Sequence, residues 1–310
     1  MQFIPLDSLK AQSSSSDAEY LNGSLRVPEW LKAKTGKARQ TVETSAHLQE
    51  LRIVTVCEEA RCPNIGECWS HKTATFMIGG ERCTRACAFC NVATGKPLAL
   101  DATEPQRVAQ AAHKLGLKYV VITSVDRDDL PDGGASHWVQ TIREVRALIP
   151  EAKIEILTPD FKGKLQDVEI VASERPDVYN HNIETVPRLY SVARRGSKYQ
   201  RSLDLLQFVK NFDSRIKTKS GLMVGLGETK PEILETLRDL KAHGINFITM
   251  GQYLRPTPRH LAVEKYYHPD EFAELKIAGE EMGFEMVAAG PFVRSSYHAG
   301  EDFERAKPQI

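Results

Sequence analysis

From about residue 74 onward the chain alternates short β-type runs with amphipathic segments, and this alternation constrains its fold more than any other feature. The β-type runs are "ATFMIGG" (74–80), "YVVITSV" (119–125), "KIEILTP" (153–159), "VYNHNIE" (178–184), "SGLMVGLGE" (220–228) and "NFITMGQYL" (246–254). Between them, segments 105–116, 136–148, 164–175, 200–211 and 231–243 repeat apolar residues at three- and four-residue spacing, the pattern of a helix with one buried face. Strands that alternate with helices build βαβ units and a mostly parallel sheet. At 310 residues the length suits one α/β barrel. A last β-type run, "FEMVAAGPFV" (284–293), precedes the tail. Several strand ends carry polar or glycine residues: Thr123, Ser124 and Asp126; Asn182 and Glu184; Gly225 to Glu228. Ligands of parallel α/β folds sit at the C-terminal ends of strands. One site assembled from several of these ends is therefore expected.

All six cysteines lie between residues 57 and 90, in two triplets spaced C-x4-C-x5-C and C-x3-C-x2-C. The N-terminus lacks a basic flank followed by an apolar stretch, so no secretory signal is expected. A cytoplasmic location follows, where thiols stay reduced and a disulfide framework is disfavoured. Lys+Arg and Asp+Glu are equal at 41 each, so no global field points to nucleic acid or a membrane surface. No apolar run reaches the roughly 18–20 residues of a membrane helix. Two thiol triplets in a reduced compartment point to metal chemistry.

Cys83, Cys87 and Cys90 would fall in one stripe on a helix, and a compact loop would also let them converge. Soft thiolates select zinc, copper(I) or iron–sulfur clusters. In a [4Fe–4S] cubane three cysteines leave one iron without a protein ligand, and an open coordination position marks a catalytic site. Half of a zinc site and three buried core thiols are the alternatives; the former lacks a matching CxxC or CxxH. Cys57, Cys62 and Cys68 behave differently. Five residues turn a helix by roughly 500°, so these thiols do not share a helical face, and Pro63 steers Cys62 away from helical geometry. They wrap an object from a loop. A second cluster is the natural candidate, again one ligand short.

CxxxCxxC with an aromatic, Phe89, just before the last cysteine resembles the radical SAM superfamily. The resemblance implies that the open iron binds the amino and carboxylate groups of S-adenosylmethionine, whose reduction yields a 5′-deoxyadenosyl radical. It also implies a six-stranded partial (β/α) barrel with the cluster loop after the first strand, where "ATFMIGG" directly precedes "ERCTRACAFC". The upstream CxxxxCxxxxxC, together with "RVPEWLK", "TSVDRDDLPDGGA", "NHNIETV", "SGLMVGLGE" and the C-terminal "RSSYHA", narrows the resemblance to the lipoyl synthase family. It spans about residues 26 to 300. The fold it implies is a partial (β/α)6 TIM-type barrel over 73–293, after an N-terminal extension (1–40, partly disordered around "SSSS" at 13–16) and an auxiliary-cluster segment (41–72). A C-terminal tail (294–310) follows. The extensions close over the barrel and hold a second cluster.

In that family the second serine of the tail motif, here Ser296, is the fourth ligand of the auxiliary [4Fe–4S] cluster beside Cys57, Cys62 and Cys68. An alkoxide is harder than a thiolate and poorly matched to a soft cluster iron, so this corner is expected to be labile. That suits a cluster dismantled for its sulfide. On the residues alone, Ser295 and Ser296 are equally tail hydroxyls bonding the backbone. The resemblance further implies insertion of two sulfur atoms at C6 and C8 of an octanoyl-lysine on a carrier protein. The carriers are lipoyl domains of 2-oxoacid dehydrogenase E2 subunits or the glycine cleavage H protein. Ferredoxin or flavodoxin would supply electrons, and an iron–sulfur cluster carrier would rebuild the auxiliary cluster. Biotin synthase-like sulfur insertion would lack the serine motif, and an electron carrier would need no open iron.

Asn182 and Glu184 alternate along a β-type run and share a face, so they can bind the ribose or amino groups of the cofactor or form a polar layer in the barrel. Arg195, in "RRGSKYQR", is expected either to meet the methionine carboxylate or to lie on a solvated helix. "GLGE" (225–228) reads as a tight turn after a strand. Trp30 and Leu31 are expected to anchor an otherwise polar N-terminal segment. His181, His268 and His298 are not assigned as ligands.

Overall fold

The computed structural model describes residues 20–21, 24–32, 39–60, 62–70 and 74–306. The serine run at 13–16 lies outside them. One sheet of eight strands dominates: β1 (Val54–Thr55), β2 (Thr75–Ile78), β3 (Tyr119–Ser124), β4 (Lys153–Leu157), β5 (Val178–Asn180), β6 (Lys217–Val224), β7 (Phe247–Gln252) and β8 (Met286–Gly290). Their spatial order is their sequence order, and the two edge strands, β1 and β8, do not pair with each other. β1 runs antiparallel to β2, and every other neighbouring pair is parallel. The result is an open, curved α/β sheet of the partial-barrel type. It extends the six-run alternation by one strand at each edge. β8 comes from the 284–293 run, whereas β1, with two residues, is too short to show any periodicity.

Strands covered on both faces should be apolar along their whole length rather than alternately. β3, "YVVITS", is buried at its four central residues, and β7 is buried throughout. Helices Glu104–Lys114, Ala135–Leu148, Leu165–Ala172, Tyr199–Phe212 and Lys230–Ala242 fill the crossovers between β2 and β7. Pro269–Glu281 connects β7 to β8. Among the described residues no helix is long and apolar enough to cross a membrane.

The interior is not wholly apolar. Lys219 of β6 and Glu155 of β4 are 2% and 1% exposed, and their ion pair is 2.9 Å long. Tyr119 Oη donates to Glu155 Oε2 at 2.7 Å, and Asn180 Nδ2 donates to Glu155 Oε1 at 3.2 Å. A buried pair of this kind persists only when its remaining lone pairs and protons are also satisfied.

The segment after β8 runs down the inside of the sheet. A Cβ on Gly251, near the C-terminal end of β7, would come 2.1 Å from the carbonyl oxygen of Val293. Further along, Gly300 lies against Tyr119, where a Cβ would sit 3.0 Å from Tyr119 Cβ. Phe303, in the short helix Ala299–Arg305, then packs on Tyr119 and Phe247, the first residues of β3 and β7. The tail thus passes from the C-terminal to the N-terminal end of the strands and plugs the latter. At the other terminus Leu31 is buried, whereas Trp30 is 40% exposed and meets His268 edge-on. The anchor is Leu31 rather than the pair.

Candidate active site

The loop after β2 carries Cys83, Cys87 and Cys90, and its backbone is pinned from three sides. Cys83 N–H donates to Ala93 O, and Gly95 N–H to Cys83 O, which closes the loop on itself. Ala88 N–H donates to Ala193 O, while Leu261 N–H donates to Ala88 O. Asn91 Nδ2 reaches Glu59 O at 2.7 Å, tying this loop to the segment of the first triplet. The backbone N–H groups of Arg85 and Asp126 point at Cys83 Sγ from 3.4 and 3.3 Å, an arrangement that favours the thiolate. Arg85 fixes the loop to the segments that follow β3 and β4, through Asp128 at 2.7 Å and Asp160 at 2.6 Å.

Burial pushes Cys83 up to about 11 and Cys87 up to about 12, and it raises Cys90 as well. Cys90 adds to the shift of both Cys83 and Cys87, so its sulfur is near each of them. Among the described residues no three His, Cys, Asp or Glu side chains converge on a single metal ion. A single zinc ion fits this spread poorly. A cubane, which takes each thiolate at a different corner, fits it. Without iron these thiols hold their protons at neutral pH, so cluster assembly must expel them.

Around this loop the structure brings together Asn182, Glu184 and Arg194. The β5–β6 ladder contains a bulge: His181 N–H pairs with Lys219 O, but Glu184 N–H, three residues on, pairs with Gly221 O, only two residues on. The extra residue bends the strand, and Glu184 adopts φ +68°. Asn182 and Glu184 therefore lie beyond the regular strand, which ends at Asn180. A non-glycine residue held at positive φ is strained, and such strain clusters at ligand sites. Asn182 Oδ1 is buried without a partner, and it occupies the space where a Cβ on Gly221 would fall 2.6 Å away. An unpaired buried acceptor beside the thiol loop is what an ammonium or hydroxyl ligand would satisfy. Burial raises Glu184, while Arg194 and Asn182 hold it down.

Arg195, the sequence candidate for the methionine carboxylate, is exposed. Its neighbour Arg194 turns inward instead, donating to Asn182 O at 2.6 Å and Tyr190 Oη at 2.9 Å. Burial opposes its charge, but Tyr190, Glu184 and Cys87 outweigh burial and keep the guanidinium protonated. Arg194 caps the short helix Tyr190–Ala193, its N–H bonding to Tyr190 O, and an "RRG" run carries no such register. Phe89 is half-buried on the loop. His181 is structural: it is fully buried between Thr158 O at 2.8 Å and Ser202 Oγ at 3.0 Å, and burial holds it down at about 3. The "GLGE" turn is closed by its own glutamate, since Glu228 accepts from Gly225 N–H and Leu226 N–H at 2.6 and 2.9 Å. Arg194→Ala is expected to raise the KM for S-adenosylmethionine at least about tenfold, roughly 1.4 kcal/mol, while Arg195→Ala leaves it within about twofold. Steady-state 5′-deoxyadenosine formation at varied S-adenosylmethionine checks the contrast.

The first triplet is carried on three short pieces. Cys57 is buried in the one-turn helix Val56–Glu59, Cys62 follows it, and Cys68 sits in helix Ile65–Ser70. Burial pushes Cys57 up to about 11 and Cys68 up to about 12, and Cys57 and Cys62 add to the shift of Cys68. Asn64 Nδ2 donates to Phe292 O at 2.7 Å, which brings the tail motif over these thiols. Burial raises Cys62, opposed first by the Asn64 backbone and then by the charge of Arg294. Cys68 and Ser296 line one cavity. Sequence reasoning placed Asp126 among the polar strand ends without a role of its own, and it missed Arg294. "DRDD" and the arginine opening "RSSY" were visible, but nothing local says which sulfur each faces.

A thiol loop after the first parallel strand of an open barrel defines the radical SAM class, and the model of the Radical SAM superfamily matches residues 77–240. Solved structures agree on the fold alone. Streptococcus suis SuiB bound to precursor peptide SuiA superposes with a TM-score of 0.54 at 16% identity, over 80% of this chain and 52% of that one. Methylornithine synthase gives 0.52 at 12% identity, over 87% and 85%. At the sequence level the chain is 55% identical to lipoyl synthase of Rubrobacter xylanophilus over 280 residues, 90% of this chain and 87% of that protein. The chain belongs to the lipoyl synthase family. It is a radical SAM enzyme that inserts sulfur, using a [4Fe–4S] cluster and S-adenosylmethionine on a lipoyl-carrier protein.

Proposed function

We infer that the chain inserts sulfur at C6 and C8 of an octanoyl group held on a carrier lysine, with two [4Fe–4S] clusters in distinct roles. Cys83, Cys87 and Cys90 hold the first. When bound, it supplies the electron that cleaves S-adenosylmethionine and so the radical that attacks an unactivated C–H bond. Arg194 pairs with the methionine carboxylate, Asn182 and Glu184 receive amino and ribose groups, and Phe89 packs beside the cofactor. Cys57, Cys62, Cys68 and Ser296 hold the second cluster, which is the sulfur source. The lipoyl carriers are E2 lipoyl domains and the glycine cleavage H protein. Ferredoxin or flavodoxin delivers electrons, and an iron–sulfur carrier renews the second cluster.

The observation that supports the two-cluster reading is that Ser296, 228 residues after Cys68 in sequence, lines the same cavity as that thiol. Ser296 can protonate and let go, whereas a thiolate would hold its iron. Ser296→Cys is therefore expected to retain iron and cleave S-adenosylmethionine yet make little lipoyl product. Ser296→Ala should assemble the cluster and lose one iron readily, and Ser295→Ala should behave as the parent. Anaerobic turnover on an octanoyl-lysine peptide, with mass detection and iron per chain, reads all three. Full lipoyl formation by Ser296→Cys would show that lability at this corner is unnecessary.

A further inference from the structure

The segments that enclose the Cys83–Cys90 loop are unbalanced in charge. Residues 81–98, 193–198 and 257–261 carry seven arginines and lysines against one carboxylate, Glu81, in a chain with 41 of each sign. Backbone bonds hold Ala88 between Ala193 and Leu261, and Arg85 Nη1 reaches Ser197 Oγ at 3.1 Å. His260 Nε2 donates to Cys90 O at 3.0 Å. A Cβ on Gly95 would lie 3.4 Å from Arg82 Nη1, so Arg82 and the segment before Lys96 meet at the other end of the loop. Arg85 and Arg194 turn inward, whereas Arg82, Lys96, Arg195, Lys198 and Arg259 are exposed. Among the described residues no carboxylate pairs with these five. They rim the loop.

The outer layer of the loop is thin. Ala86, Ala93, Thr94 and Gly95 are exposed and have little or no side chain. Ala93 O and Gly95 N–H bond directly to the Cys83 backbone, so a surface that touches residues 93–95 is one hydrogen bond from a thiol-bearing residue. Beside them Leu98 is 85% exposed, and its carbonyl is held by the buried Arg127 at 2.9 Å. A large apolar side chain fixed in water is a ready contact for a partner.

We propose that this face of the loop is the docking surface for the electron donor, a protein that carries a one-electron cofactor behind an acidic face. Leu98 supplies the apolar contact. The proposal rests on the reading that Cys83, Cys87 and Cys90 hold a cluster which such a donor reduces. One electron leaves the donor's cofactor and enters the cluster; the donor is oxidised, the cluster is reduced, and no bond forms or breaks. Tunnelling falls off exponentially with distance, so a thin loop favours it. Unpaired cations steer an acidic partner and speed its arrival. A small charged patch also suits a redox encounter, which must be brief so that the spent donor can leave. The lipoyl carrier has a different need, since its acyl chain must enter the open end of the barrel beside Asn182 and Glu184.

The test uses the reconstituted full chain, with flavodoxin as the protein donor and dithionite as a small donor that needs no dock. Binding of oxidised flavodoxin is read by calorimetry, and 5′-deoxyadenosine formation is read with each donor. In Arg82→Glu, Lys96→Glu the Kd for flavodoxin and the flavodoxin-driven rate should each worsen at least about tenfold. The dithionite-driven rate should stay within about twofold of the parent. Added salt should slow the parent with flavodoxin and change the charge-reversed variant little. Leu98→Ser should weaken flavodoxin binding about threefold. Unchanged binding and flavodoxin-driven rates in both variants overturn the dock, as do equal losses with the two donors. A raised KM for the octanoylated carrier under dithionite assigns the face to the carrier and overturns it too. A parent driven by dithionite but not by flavodoxin overturns the donor reading itself, and the dock with it.

Discussion

Changing Cys57, Cys62 and Cys68 together to Ala is expected to leave S-adenosylmethionine cleavage in place and to abolish thiolated product. The two thiol groups sit on separate segments, and among the described residues a hydrogen bond from the Asn91 side chain to Glu59 O ties them. That bond involves a main-chain carbonyl and survives the substitutions. The cofactor loop keeps its anchors at Ala193, Leu261 and Asp126, so radical generation should persist. What disappears is the only other set of cysteines in the chain. Product should fall below detection while 5′-deoxyadenosine continues to form. In the unaltered enzyme, isotopic sulfide built into this cluster should appear in the lipoyl group. Unlabelled product in a reaction without added sulfide would sink the assignment of the sulfur source.

The largest loss of stability is expected from Lys219→Ala. Removing one partner of a buried pair leaves an uncompensated charge and costs about 3–5 kcal/mol. Glu155 would keep only the hydrogen bonds from Tyr119 and Asn180. Burial raises the carboxyl of Asp302, from the tail, and Lys219 opposes that rise, so the loss would spread to the plug. A Lys219→Met, Glu155→Leu double variant should recover most of the deficit, because replacing the whole pair by apolar groups is often neutral. Anaerobic urea unfolding of the single and double variants gives the comparison. A single variant within about 1 kcal/mol of the parent would mean that water reaches Glu155.

Much of this architecture is legible in the sequence because parallel strands buried on both faces stay apolar, and because thiol spacing is rigid chemistry. The failures share a cause, which is that pairing across the fold overrides local pattern. β6 begins at Lys217, three residues before the apolar run suggests, because Lys219 points inward to a glutamate 64 residues away. The run at 178–184 reads as one strand, yet a bulge ends the regular ladder at Asn180 and lifts Asn182 and Glu184 into the site. Arg194 and Arg195 are equivalent in sequence, and only the turn after Ala193 distinguishes them. The path of the tail inside the barrel carries no periodic signal at all.

That path has a consequence for biosynthesis. A ribosome makes the chain from its N-terminus, so every strand of the sheet and all six cysteines exist before Ser296 emerges. Until then the sheet lacks its plug, and Cys68 lacks the Ser296–Glu301 segment that later shares its cavity. A nascent chain can thus be offered iron and sulfide while Ser296 is still to be added. The finished protein completes that cavity only afterwards. Order of synthesis, rather than any later opening of the fold, provides the first occasion for loading.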